Sequence, residues 1–215
     1  MSASGEAPGD RPRPATPAPI ATRRYGWAIG ILALALVIGF TLYALSSHKS
    51  GVEGVPAGGQ LRLFAAPLAA STLKGDANLN PPCTLARHDP RALNVCLLVK
   101  RAPLVLAFFV TGSSPCEHEV DTMQALARRR GPLRRVQFAA VAVNGSQAAT
   151  AKAVHANRWT IPVAYDADGA VGGLYGVTAC PLLELVDRGG TVAERLIGER
   201  WLNRRALATR VRALR

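Results

Sequence analysis

Pro103 to Val110, PLVLAFFV, is an unbroken apolar run that turns directly into TGSSPCEHE and then into a helix-patterned segment. Such a run reads as a strand buried on both faces, which requires layers above and below it. Ser114-Pro115-Cys116-Glu117 then predicts a helix start, with Ser114 at the N-cap, Pro115 at the first helical position and Glu117 closing a capping box. Val120, Met123 and Leu126/Ala127 supply its buried stripe, Arg128 to Arg130 complement its C-terminal end, and Gly131-Pro132 stops it. Val136–Asn144 predicts a second buried strand. Gln147–Trp159 predicts a helix with Ala151 and Val154 facing inward, and Ile161–Tyr165 a third strand followed by a turn over 166–169. Pro181–Asp187 and Thr191–Ile197 flank Arg188-Gly189-Gly190 as a hairpin, and Trp201–Leu214 is a final amphipathic helix. This order is that of an α/β fold, a mixed central sheet flanked by helices.

Ahead of that domain lies YGWAIGILALALVIGFTLYAL, Tyr25 to Leu45, 21 residues without a charge. At about 1.5 Å per residue it matches a hydrocarbon core of about 30 Å, so one transmembrane helix is predicted over 25–45. A cleaved signal peptide is the competing reading, but its apolar region is normally about 7–15 residues. Arg11, Arg13, Arg23 and Arg24 precede the run and only Lys49 and His48 follow it closely. The positive-inside bias therefore places the N-terminus in the cytoplasm and the later residues outside the cell membrane. Residues 1–24, rich in proline and alanine, are expected to be a disordered cytoplasmic tail, and 46–60 a glycine-rich flexible tether. Residues 61–215 form the extracytoplasmic domain, whose start up to Lys100 reads as irregular, with short strands or a hairpin broken at Pro81, Pro82 and Pro90.

The formal net charge is +12, but the arginines do not alternate with the few aromatics, so no nucleic-acid groove is expected. Anionic lipid headgroups are the natural partner of such a surface, each basic residue near them adding about 1 kcal/mol. Outside the cytoplasm disulfides persist, which suits four cysteines: Cys83, Cys96, Cys116 and Cys180. The sequence holds no CxxC, no HExxH and no zinc spacing, so neither a metal nor a cofactor is predicted. Cys83 and Cys96, in a proline-rich segment, are candidates for a structural disulfide.

LVLAFFVTGSSPCEHEVDTMQAL and IPVAYDADGAVGGLYGVTACPLLELVDRGGTV resemble the strand, redox loop and P-v-x-x-D-x-x-G … Y-G-V-x-x-x-P … D-x-x-G signature of thioredoxin-fold redoxins. The resemblance is to the membrane-tethered, extracytoplasmic thiol–disulfide proteins, among them the cytochrome c maturation reductases. It implies a thioredoxin-like fold, thiol or disulfide groups of exported proteins as partners, and a cis proline at Pro181. The family's CxxC falls on Ser113 and Cys116, so its first cysteine is a serine here, and Cys180 stands unusually just before the proline.

A cysteine in a helix's first turn is a candidate reactive thiol in its own right, because the free N–H groups and dipole stabilise a thiolate and lower its pKa from about 8.5. Glu117 and Glu119 oppose that shift, and a protonated His118 assists it. The blander alternative is a small core residue beside a cap. Three chemistries follow. In the first, Cys116 exchanges with Cys180 as a displaced redox pair, Ser113 tuning the thiolate and Pro181 shaping the contact. The second is a thiol peroxidase, since Ser113-x-x-Cys116 is also similar to the peroxiredoxin loop, although Phe109 and Pro181 replace its proline and arginine. The third is a redox-silent binding or assembly domain, favoured by Ala107 where related proteins keep a buried acid. Glu184 is read as an exposed strand residue rather than a buried carboxylate. His118 and His155 are read as surface residues, Trp159 and Trp201 as packing, and Asp166 and Asp168 as a turn.

Overall fold

The computed structural model describes residues 23–47, 54–77, 83–84, 86, 88–129 and 131–215. Most of the predicted tail, and residues 48–53 of the predicted tether, lie outside them, as do Pro81 and Pro82. The chain divides into two units, Met1–Ser47 and His48–Arg215. The first carries helix α1, Arg23–Ser47, over the charge-free run. Its described side chains, 27 to 41, span about 22 Å at ~1.5 Å per residue. Among the described residues no helix is long and apolar enough to cross a membrane.

The second unit opens with a strap rather than a free tether. Val55 is buried, the Gly58 N–H donates to Val192 O at 2.8 Å, and the Leu61 N–H donates to Gly190 O at 2.7 Å. Gly54 begins it with φ +63°, and a Cβ there would stand 2.5 Å from Tyr175 O, so only glycine fits. Strands β1 (Ala65–Pro67) and β2 (Ala92–Asn94) form the short antiparallel pair expected in the irregular stretch. Helix α2 (Val95–Arg101) was not expected there; it forms because Val95, Cys96 and Val99 share a buried face.

The main sheet contains β3 (Leu104–Phe109), β4 (Gln137–Val143), β5 (Val163–Asp166), β6 (Leu182–Val186) and β7 (Val192–Ile197) in the order β5-β4-β3-β6-β7. β4 runs parallel to β3 and β5, whereas β6 is antiparallel to β3 and β7. The central strand β3 is buried along its whole length. Val105, Ala107 and Phe109 face α3 (Ser114–Ala127) and α6 (Arg204–Val211), while Leu104, Leu106 and Phe108 share the opposite core with Phe64 and Tyr175. Two covered faces are why this strand is continuously apolar.

Local differences from the sequence reading have local causes. Helix α4 (Gln147–Asn157) stops at Arg158, which takes the left-handed conformation at φ 53°; it buries Thr150 and Ala153 most fully, while Val154 packs against the core as expected and Ala151 is only partly covered. A short helix α5 (Ala170–Leu174), not expected from the sequence, follows the turn over 166–169, because the buried Asp166 carboxylate accepts from the N–H groups of Val171 and Gly172 at 3.2 and 2.7 Å. The final helix is divided: a single 3-10 turn over Glu199–Leu202 precedes α6, whose start is capped by the Asn203 side chain accepting from Arg205 N at 2.9 Å.

Candidate redox site

The central strand β3 ends at Phe109, and Gly112, at φ +80°, turns the chain into α3. The N-cap is Ser113, one residue before the serine that the pattern suggested. Its hydroxyl makes no capping bond. Instead the Glu117 carboxylate reaches back past the helix start and accepts from the Gly112 N–H at 2.8 Å. That contact tightens the loop and leaves the Ser113 hydroxyl free to turn toward the helix.

Cys116 lies in the first turn of α3 and is 2% exposed. It is joined by a disulfide to Cys180, with a Cα–Cα separation of 5.4 Å across 64 residues of sequence. The Ser113 Oγ lies 2.9 Å from Cys116 Sγ. With the sulfur in a disulfide, the hydroxyl holds the only proton between them and is the donor. Cys180 is partly exposed, follows the exposed Thr178 and Ala179, and precedes a cis peptide bond to Pro181. Pro181 is buried, and its carbonyl accepts from the Gly198 N–H at 2.9 Å, which fixes the loop to the end of β7. The structure therefore brings Cys116, Cys180, Ser113 and Pro181 together. Cys83 and Cys96 form a separate disulfide, Cα–Cα 5.9 Å, with both residues buried.

Helix α3 is held in place by polar anchors as well as by packing. Gln124 accepts from the Ile161 N–H at 3.1 Å and donates to Thr160 Oγ at 2.9 Å. The Trp159 indole donates to Asp121 at 2.7 Å, and its ring meets Phe109 edge-on with centroids 5.5 Å apart. Trp159 is thus packing, as read from the sequence, while His118 is exposed.

Sequence reasoning passed over Glu119 as a site residue. It is 1% exposed, and neither carboxylate oxygen has a hydrogen-bond partner. Burial pushes its pKa up to about 8, and the nearby Leu182 N–H, short of hydrogen-bond geometry, offsets only part of that. The signal was present: the buried stripe Val120, Met123, Leu126 extended backward at helical spacing reaches Cys116 and Glu119. Ala107 indeed provides no acid from the strand; the buried acid comes from the helix that carries the sulfur.

Glu184 is also buried, not exposed as the sequence reading had it, because this face of the sheet is covered too. It forms an ion pair with Arg195, directly opposite on β7. Arg195 donates further to the carbonyls of Tyr175 and Gly176 at 2.9 and 3.0 Å. Burial raises the Glu184 pKa to about 7, with Arg195 pulling against the rise.

Compared with known proteins, the model of the AhpC/TSA family matches residues 81–195. No curated protein matches the chain. Among solved structures, a secreted Mycobacterium tuberculosis disulfide oxidoreductase homologous to E. coli DsbE is similar at 19% identity, covering 71% of this chain and 96% of that one, with a TM-score of 0.55. MTB dsbF, in its mixed oxidized and reduced forms, is similar at 24% identity over 75% and 99% of the two chains, TM-score 0.54. The peroxidoxin BcpB from Mycobacterium tuberculosis is similar at 19% identity over 75% and 99%, TM-score 0.56. These likenesses show the fold, which is thioredoxin-like.

Proposed function

The chain belongs to the AhpC/TSA family, and from that premise we propose that it is a membrane-anchored, extracytoplasmic protein that exchanges thiols and disulfides with exported proteins at Cys116 and Cys180. The observation that carries this reading is the disulfide linking the first turn of α3 to the residue before a cis proline, with one of its two cysteines buried and the other partly exposed. A thiol can attack a disulfide only where a sulfur is accessible and the departing sulfur is stabilised. Here the departing Cys116 sulfur would sit among the free N–H groups of α3 and accept a hydrogen bond from Ser113. Glu119, buried without a counter-ion three residues along the same helix, supplies or takes the proton.

Anchoring is supported by α1, whose consecutive apolar side chains, Leu32, Leu34, Leu36, Val37 and Ile38 among them, are exposed rather than gathered on one face. A helix apolar all round requires an apolar surrounding. The arginines before it favour a cytoplasmic N-terminus.

The test is reduction of insulin disulfides by the full chain, together with peptide mapping of all four cysteines without reductant. Exchange requires a Cys116–Cys180 peptide in the oxidised protein and loss of turnover in both Cys116→Ser and Cys180→Ser. Full turnover in either variant would remove the proposal. A thiol peroxidase is the second reading, favoured by the Ser113 hydroxyl 2.9 Å from Cys116 Sγ. It requires hydrogen peroxide consumption with a thiol donor and sulfenic acid at Cys116.

A further inference from the structure

Exchange at this pair requires one sulfur to meet the client first. Given the exchange proposed above, we infer that Cys180 is the sulfur that forms the mixed disulfide with the client and Cys116 is the sulfur that resolves it. The attacking thiol then lies on the loop before Pro181, not on the loop that opens α3.

Access carries the assignment. Cys116 is 2% exposed and belongs to the core that includes Phe109, Val120 and Leu183, so a client sulfur could reach it only by entering that core. Cys180 packs against the edge of the same core, stays partly open, and is approached over the exposed Thr178 and Ala179. Departure chemistry agrees with access. When Cys180 is attacked, the sulfur expelled is Cys116, at the helix start and within 2.9 Å of the Ser113 hydroxyl, where negative charge is best accommodated. Attack in the other sense would expel Cys180, for which no comparable donor is present among the described contacts. Position 113, where a second loop thiol would stand, is a serine, and the remaining two cysteines are buried in their own disulfide. No other residue of the chain competes for the role.

The steps balance. A client thiolate bonds to Cys180 Sγ, the Cys116–Cys180 bond breaks, and its electron pair remains on Cys116 Sγ, which takes a proton from the Glu119 carboxyl. The second client thiol then attacks the client's own sulfur in the mixed disulfide. Cys180 leaves as a thiolate and takes the proton that this thiol gives up, while the proton released by the first client thiol restores Glu119. The client dithiol is oxidised by two electrons to a disulfide, and the protein disulfide is reduced to two thiols. Run backward, the Cys180 thiolate opens a client disulfide and Cys116 closes onto Cys180 to release the reduced client.

The experiment uses the full-length chain in detergent, with oxidised glutathione as the probe. Reduced Cys116→Ser and Cys180→Ser variants are mixed with the probe, and glutathione addition is followed by mass. Cys180 in the first variant is expected to react at least about tenfold faster than Cys116 in the second. Because a cysteine substitution can disturb folding, the reduced unsubstituted chain is also given limiting iodoacetamide and its peptides mapped. There Cys180 is expected to carry at least about ten times the label of Cys116. Equal labelling, or faster reaction at Cys116, overturns the assignment. Insulin reduction by the unsubstituted chain separates the two levels: activity with Cys116 the faster thiol overturns only the order of attack, whereas no activity and no adduct in either variant overturns exchange as well.

Discussion

Replacing Glu119 by glutamine should change how stability depends on pH, and the size of the change follows from the burial of one carboxyl. In the folded chain both oxygens are buried and unbonded, and the pKa is raised from 4.5 to about 8. Below about pH 4.5 the group is protonated in folded and unfolded chains alike and contributes no slope. Between about 4.5 and 8 the unfolded chain releases the proton while the folded chain keeps it, so the native state binds more protons and stability falls as pH rises. At ~1.4 kcal/mol per pH unit the loss amounts to about 5 kcal/mol by pH 8, above which it is flat. Glu119→Gln removes this slope. The amide is still buried without partners, so its absolute stability is not the test; the difference from the unsubstituted chain as a function of pH is. Urea unfolding of the disulfide-intact chain at pH 5, 6, 7 and 8, followed by tryptophan emission, measures that difference, which should grow by about 4 kcal/mol in favour of the variant. Subtraction cancels the slope from Glu184, which titrates in the same range. A difference that varies by less than about 1 kcal/mol across the series would refute the reasoning, because Glu119 would then ionise in the folded chain much as it does in the unfolded one.

Removing only the cation of the other buried pair, Arg195→Met, should cost about 3–5 kcal/mol in chemical denaturation, whereas Glu184→Leu with Arg195→Met should cost much less. A double variant as unstable as the single one would contradict this. Substituting both Cys83 and Cys96 by alanine should lower stability by about 2–4 kcal/mol and leave insulin reduction at its original rate. Loss of turnover in a folded double variant would show that this disulfide is not merely structural. Ser113→Ala should slow insulin reduction roughly tenfold, the worth of a hydrogen bond to a developing thiolate, with little change in stability. An unchanged rate would remove the hydroxyl from the reaction.

What the sequence made legible was whatever a short-range pattern dictates. Leu104 to Phe109 is apolar at every position, and only a strand covered on both faces explains that. The Arg188-Gly189-Gly190 turn with apolar residues either side gave the β6–β7 hairpin. Long-range partners decided the rest. Two adjacent serines precede Pro115, and the choice of Ser113 as the cap depends on Glu117 reaching Gly112. Helix α5 contains Gly172 and Gly173 and has little propensity of its own; it exists because Asp166 accepts two of its N–H groups. Alternation correctly put Glu184 on the face of Leu182 and Val186, but whether that face meets solvent is a property of the whole fold. The turn alone would set Glu194 opposite Glu184; the register shift between Leu185 and Val186 moves the pairing by one residue and brings Arg195 there instead, which no short-range pattern in the sequence marks.

The two buried acids separate structure from chemistry. Glu184 has a guanidinium across the strand, and that guanidinium also ties down two carbonyls, so the pair organises the Tyr175 turn beneath the strap. Glu119 has no cation and no hydrogen bond, and no part of the packing requires an acid there. An apolar residue would spare the fold several kcal/mol above neutral pH. In the exchange proposed above such a position has a use, since Glu119 sits one helical turn from Cys116, the buried sulfur that would accept and lose a proton inside the core. Cys180, at the rim, can trade its proton with water. The same asymmetry of burial that assigns the order of attack therefore also assigns the acid: the sulfur hidden from solvent is the one provided with a proton source of its own.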